Sequence, residues 1–151
     1  MRYFEDFPVG TMMTHQGPTL SEEEIIEFAS RYDPQHFHVD RAAAERSHYG
    51  GLIASGWHTM ATTMRMMCDC YLLEAASLGS PGVDEVRWHL PVRPGDTLAV
   101  AIEVTEARRS RSKPDRGLIH YHAQVVNQHS QVVMTFNAIG MLKTRDDCAA
   151  G

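Results

Sequence analysis

Asp33 and His38 stand five residues apart, a carboxylate and an imidazole with Pro34 between them. On an unbroken helix, at about 100° per residue, that spacing would set the two side chains about 140° apart. Pro34 removes this geometry, because it pushes Asp33 out of the α region and ends any helix there. The chain must turn, and a turn through Asp33-Pro34-Gln35-His36-Phe37-His38-Val39-Asp40 can aim both groups into one small volume. An Asp–His pair holding a water is suited to general acid–base chemistry near neutral pH. The spacing alone equally accommodates an Asp capping a turn beside a surface His.

The elements that must position this pair can be read from period and caps. Ser21 opens a helix with a capping-box pattern, since Glu24 lies three positions on. Ile25, Phe28, Ala29 and Tyr32 recur at i, i+3, i+4 and i+7, which predicts one buried stripe. A second helix is expected over 41–46 with Asp40 as its N-cap. A longer one is expected to start near Ser55 or Gly56 and to run to about residue 74. Trp57, Met60, Ala61, Met64, Met67, Cys68 and Tyr71 cover much of its circumference, so it should be enclosed by other elements. Arg65 and Asp69, at i,i+4, mark its wet strip.

A short strand is expected at 12–15, closed by Gly17-Pro18. After Gly79-Ser80-Pro81-Gly82 the period changes from helical to alternating. A strand is expected at 83–90, followed by apolar faces on Leu98, Val100, Ile102 and Val104, on Ile119, Tyr121, Ala123 and Val125, and from Val132 to Leu142. Residues 127–130 signal a hairpin joining the last two strands. Helices followed by strands predict an α+β domain, with antiparallel strands against one helix. One domain is expected over 1–145, with a flexible tail at 146–151.

Composition narrows the function. Apolar residues at 43% and charged residues at 22% of 151 are those of a globular domain able to bury a core. The net charge of −5 argues against general nucleic-acid binding. Arg65 and Asp69 interrupt the only stretch that approaches a membrane span, and the N-terminus lacks an apolar signal core, so a cytoplasmic location is expected. Cys68, Cys70 and Cys148 make an odd set and read as buried free thiols. His120 and His122 share a strand face at i,i+2, yet no further ligand converges there in sequence, and the pair reads as two polar residues on a solvent face; no metal and no cofactor is expected. His36 stays unassigned, and His58 reads as a satisfied or exposed helix histidine. Arg108, Arg109, Arg111, Lys113 and Arg116 crowd one stretch, either as a solvated hairpin loop or as an attractor for phosphates. Arg87 and Arg93 are further candidates.

Asp-x-x-x-x-His in this setting resembles the hydratase-2 motif of MaoC-like dehydratases, the R-specific enoyl-CoA hydratases, usually written Asp-x-Asn-Pro-hydrophobic-His. Gln35 stands where Asn is usual and His36 where Pro is usual. Tyr3-Phe4-Glu5-Asp6-Phe7-Pro8-Val9-Gly10, Gly50-Gly51-Leu52-Ile53-Ala54-Ser55-Gly56-Trp57-His58, Pro91-Val92-Arg93-Pro94-Gly95-Asp96 and Ser112-Lys113-Pro114-Asp115-Arg116-Gly117 fit the same family in its order. The resemblance implies a hot-dog fold, a long helix wrapped by an antiparallel sheet, commonly paired as a homodimer. It also implies reversible hydration of a trans-2-enoyl thioester to the R-3-hydroxyacyl thioester, on coenzyme A or an acyl-carrier protein. Asp33 and His38 then match the catalytic pair, and Gly56 matches the glycine whose backbone amide receives the thioester oxygen. Gln35, Phe37, Ser55, Trp57, Arg87, Arg93, Lys113 and Arg116 are candidates for holding substrate. Two other functions stay open: an acyl-CoA thioesterase on the same fold, and a non-catalytic acyl-CoA-binding domain.

Overall fold

The computed structural model describes residues 1–145; the tail expected at 146–151, with Cys148, lies outside them. Five strands, β1 (Met12–Thr19), β2 (Ser77–Trp88), β3 (Thr97–Arg109), β4 (Arg116–Val126) and β5 (Val132–Lys143), form one antiparallel sheet in the order β1-β3-β4-β5-β2. The α-helices are α1 (Glu22–Tyr32), α2 (His36–Val39), α3 (Arg41–Arg46) and α4 (Gly56–Cys70). The sheet curls around α4 in the hot-dog arrangement. The expected alternation holds: Leu98, Val100, Ile102 and Val104 of β3 and Ile119, Tyr121, Ala123 and Val125 of β4 are all buried on the face toward the helices. Asn127 closes the β4–β5 hairpin by accepting the His129 and Gln131 amides on its side-chain oxygen.

Local chemistry sets the helix ends. Ser21 and Glu24 form the reciprocal capping box of α1, and the Asp40 carboxylate accepts the Ala43 amide to open α3. Ser55 opens α4 by accepting the Trp57 N–H on Oγ.

Four expectations are corrected. β1 runs on through Gly17-Pro18 to Thr19, with a register break between Gln16 and Thr19. A proline fits there because β1 is an edge strand. Gly17 has no side chain where Met66 of α4 seats, so the helix lies close on β1. β2 begins at Ser77, not after Gly82, and ends at Trp88; bulges on either side of Gly82 carry Gly79-Ser80-Pro81-Gly82 inside the strand. α4 stops at Cys70, and a separate 3-10 turn covers Leu72–Glu74.

The fourth correction concerns which faces are covered. α4 buries Thr59, Thr63, Met66 and Met67 over the β1–β3 half of the sheet. The Thr63 hydroxyl is satisfied by the Thr59 carbonyl at 2.8 Å, which makes a buried threonine tolerable. Trp57 and Met64, on the side expected to be enclosed, are 62% and 47% exposed. Tyr32 is exposed too, so the α1 stripe is buried only at Ile25 and Ala29, with Phe28 half-buried. No helix among the described residues is long and apolar enough to cross a membrane.

Candidate active site

Pro34 acts as the sequence reading requires. α1 ends at Tyr32, Asp33 leaves the helical region at φ −154°, and the chain re-enters a single helical turn, α2, with Gln35 at its N-cap position. This break folds the five-residue spacing back on itself. His38 Nε2 comes to 3.2 Å from Asp33 Oδ2, with His38 buried and Asp33 half-buried.

The proton inventory of the pair follows from its partners. His38 Nδ1 lies 2.7 Å from the Ile53 carbonyl, which can only accept, so Nδ1 carries a proton. Asp33 receives Gln35 Nε2 on Oδ1 and the Ser55 hydroxyl on Oδ2, both at 2.7 Å. Burial pushes the Asp33 carboxyl up, but the donated bonds from Gln35 and Ser55, and then His38, outweigh it and hold the group below the usual aspartate value. With the Nδ1 proton committed to Ile53, Nε2 is the ring nitrogen left to face the Asp33 carboxylate.

The extended residues 52–55 tie the pair to α4. The Ile53 amide donates to the Phe37 carbonyl and the Ala54 amide to the Val92 carbonyl, which clamps this segment between α2 and the stretch after β2. Ser55 is fully buried, and its one oxygen caps α4 while its proton goes to Asp33. Gly56 follows as the first helical residue, and its N–H finds no acceptor among the described residues. Trp88 Nε1 donates to the Gly56 carbonyl at 3.0 Å.

Asp33, His38 and Gly56 line a single open cavity of about 530 Å³. Phe37, Tyr49 and Trp57 form part of its wall, with Trp88, His89, Leu90, Pro91 and Val92 opposite. Phe37 meets His38 edge-on at 4.6 Å and Tyr49 at 5.2 Å, which fixes the imidazole plane from the side. Asp33 is the one residue with a formal negative or positive charge among the described residues lining this space. The arrangement can hold a water between the Asp33 carboxylate and His38 Nε2, beside an amide with no partner among the described residues at a helix N-terminus that favours negative charge.

Residues 6–127 match the family model described as the MaoC like domain. The chain belongs to the MaoC-like family. A crystal structure of a MaoC-like dehydratase from Rhodospirillum rubrum is similar over 97% of this chain and 99% of that one, with 36% identity and a TM-score of 0.90. The uncharacterized protein YdeM of Bacillus subtilis is 26% identical over 109 residues, 72% of this chain and 77% of YdeM. The β-methylmalyl-CoA dehydratase of Chloroflexus aurantiacus is 26% identical over 151 residues, 95% of this chain; the match spans 41% of that enzyme's length.

Within this MaoC-like chain, Gln35, Phe37, Ser55 and Trp57 gather at or beside the dyad. The basic candidates do not. Arg93 is half-buried and donates to the Tyr49 carbonyl at 2.6 Å, pinning the loop that carries Tyr49. Arg87 is exposed next to Trp88 on the other face of β2 and bonds its neighbour's carbonyl. Lys113 and Arg116 belong to the β3–β4 hairpin, where Arg116 pairs with Lys143; the site lies where Met134 pairs with Trp88. Nine residues of β5 separate the two ends, about 30 Å of strand. Arg116 chelates Asp115, and Arg109 pairs with Glu5, so these two cations of the cluster are already engaged.

The other histidines weighed in the sequence, His36, His58, His120 and His122, fall outside the site. His36 is exposed. His58 stacks on Phe28 at 4.6 Å with its Nδ1 buried and without a partner among the described residues, neither satisfied nor exposed as expected, and burial lowers its pKa. His122 bonds Asn137 on the outer face of the sheet, as expected of a polar surface residue, whereas the adjacent His120 is half-buried there. Sequence reading missed Trp88, His89 and Tyr49. Trp88 reaches Gly56 across 32 residues, a separation that carries no periodic signal. Tyr49 precedes Gly50-Gly51 and is held at the site by Arg93 on its carbonyl and by Phe37 against its ring.

Proposed function

We propose that this protein hydrates a trans-2-enoyl thioester reversibly to the R-3-hydroxyacyl thioester. Hydratase or dehydratase chemistry in general is what the family and the Rhodospirillum rubrum likeness support; the substrate and residue roles are our reading. One observation carries it: the Asp33–His38 pair and the unpaired Gly56 N–H share one cavity.

In the forward direction the pair grips a water. The O–H bond breaks as the oxygen bonds to C3, the C2–C3 π electrons move toward the thioester, and the developing negative charge falls on its oxygen. The Gly56 amide receives that charge. The dyad takes the water's proton and delivers one to C2, so the coupled pair ends as it began. Acid–base assistance of this kind contributes on the order of 10²–10⁴ in rate.

The reading extends to a homodimer. β2 is a free edge, and the uncovered side of α4 opens an apolar groove of about 750 Å³ continuous with exposed Trp57, Met64 and Val83. An apolar surface of that kind, rimmed by a free edge, suits a second copy.

The test is the ultraviolet absorbance of the conjugated thioester of crotonyl-CoA, followed with wild type, Asp33→Asn and His38→Ala, with thiol release measured in parallel. Loss of absorbance without thiol, abolished in either folded variant, is expected. Thiol release in its place would make the protein a thioesterase. Binding without conversion of short, long and branched enoyl thioesters would make it a binding domain.

A further inference from the structure

Gly56 lacks a side chain for a reason other than the approach of substrate. A Cβ at Gly56 would stand 2.5 Å from Trp88 Cε2 and 2.7 Å from its Nε1, distances that no real Cβ adopts. The space that the glycine leaves is filled by the Trp88 indole. That indole is also bonded to the glycine, through Nε1–H to the Gly56 carbonyl at 3.0 Å. It meets Trp57, the next residue of α4, edge-on at 5.8 Å.

The base of Trp88 is itself fixed. Trp88 pairs with Met134, the following His89 amide donates to the Val133 carbonyl, and His89 Nε2 bonds the Thr135 hydroxyl. The first turn of α4 is therefore held from two sides. Ser55 ties it to Asp33, and Trp88 ties it to the end of β2. A backbone amide is an effective donor to a developing oxyanion only while its direction is held through the reaction.

We infer that Trp88 is a positioning residue for the Gly56 amide, and that Gly56 is a glycine because Trp88 must lie on it. The inference rests on the reading of Gly56 as the thioester-oxygen donor. Trp88 does not act on the reacting atoms. It sets where the amide points, so its loss affects the transition state more than ground-state binding.

The experiment has two arms. In the first, Gly56→Ala, Trp88→Leu and the double variant are compared in crotonyl-CoA hydration, with Trp88→Phe keeping a ring but losing the N–H. Trp88→Phe is expected to lower kcat about tenfold with KM nearly unchanged, less than the roughly 10²–10³ of losing an oxyanion donor outright. Gly56→Ala should be severely impaired, and Trp88→Leu should recover at least about tenfold of that loss by vacating the space. A double variant impaired by the product of the single effects overturns the inference, because the glycine then serves the ligand.

The second arm needs no turnover. The infrared carbonyl band of bound butyryl-CoA, labelled with ¹³C at the thioester carbon, should lie below its position in solution in the wild type and return part of the way in Trp88→Phe. An unshifted wild-type band, or an equal shift in both proteins, overturns the proposal. A Trp88-dependent shift in a protein that hydrates nothing would instead sink the hydratase reading and leave this one standing. Thermal melts confirm that each variant compared is folded.

Discussion

The Ser55 hydroxyl lies 2.7 Å from Asp33 Oδ2 while its oxygen accepts the Trp57 N–H at 3.2 Å. One buried side-chain atom thus serves as helix cap and as partner to the Asp33 carboxylate. Stability and acid–base behaviour are joined there, and a single substitution separates them.

Ser55→Ala removes an N-cap and should cost about 1 kcal/mol of stability, read from denaturant unfolding. It also removes a donor to the Asp33 carboxylate, so the Asp33 pKa rises toward the ordinary value. The acid limb of the pH–rate profile should move to higher pH. Lost stability with an unmoved limb would show that Ser55 is only a cap.

Asp33 should set part of the acid sensitivity of the fold. Its folded-state pKa lies below the ordinary 3.8, so its contribution is fully present above that pH and is lost as the pH falls toward the lowered folded value. Urea midpoints of wild type and Asp33→Asn should converge as the pH drops below 3.8. Parallel curves across that range would refute the ionised, hydrogen-bonded Asp33 described above.

His58 predicts a second, milder transition. Burial against Phe28 lowers its pKa from 6.5, which favours the neutral ring in the folded state. The unfolded chain binds the extra proton first, so stability from this residue is full above pH 6.5 and declines below it, down to the folded value. His58→Phe should lose less melting temperature than wild type when the pH falls from ~7.5 to ~5.5. The same loss in both proteins would assign that slope elsewhere.

Met64 tests the proposed second copy. It is 47% exposed on the uncovered side of α4 and lines the apolar groove. Met64→Asp should halve the mass seen by sedimentation equilibrium by placing a charge in an apolar interface. A wild-type protein already monomeric at high concentration ends the dimer proposal.

Much of this molecule is legible in local sequence because its determinants are local. The Ser21–Glu24 box, the Asp40 cap and the alternating faces of β3 and β4 depend on residues a few positions apart, and all are in place. The Asp33–His38 geometry belongs with them, since Pro34 forces the turn. β2 misleads because glycine and proline read as a break, while an edge strand can absorb them in bulges. The inward face of α4 misleads for another reason. Hydrophobicity favours Trp57 and Met64, but the side of α4 that turns inward carries Thr59 and Thr63, and its close approach to β1 is made by Met66 over Gly17. Trp88 on Gly56 is a contact between distant segments, visible only once the chain is folded.

Both free edges of the sheet contain a proline inside a strand whose register slips, Pro18 in β1 and Pro81 in β2. A proline has no N–H to offer, and a slipped register leaves carbonyls and amides out of step with a straight neighbour. Neither margin can therefore template an endless ribbon of added strands. A sheet this apolar on its inner face is thereby guarded against fibre growth.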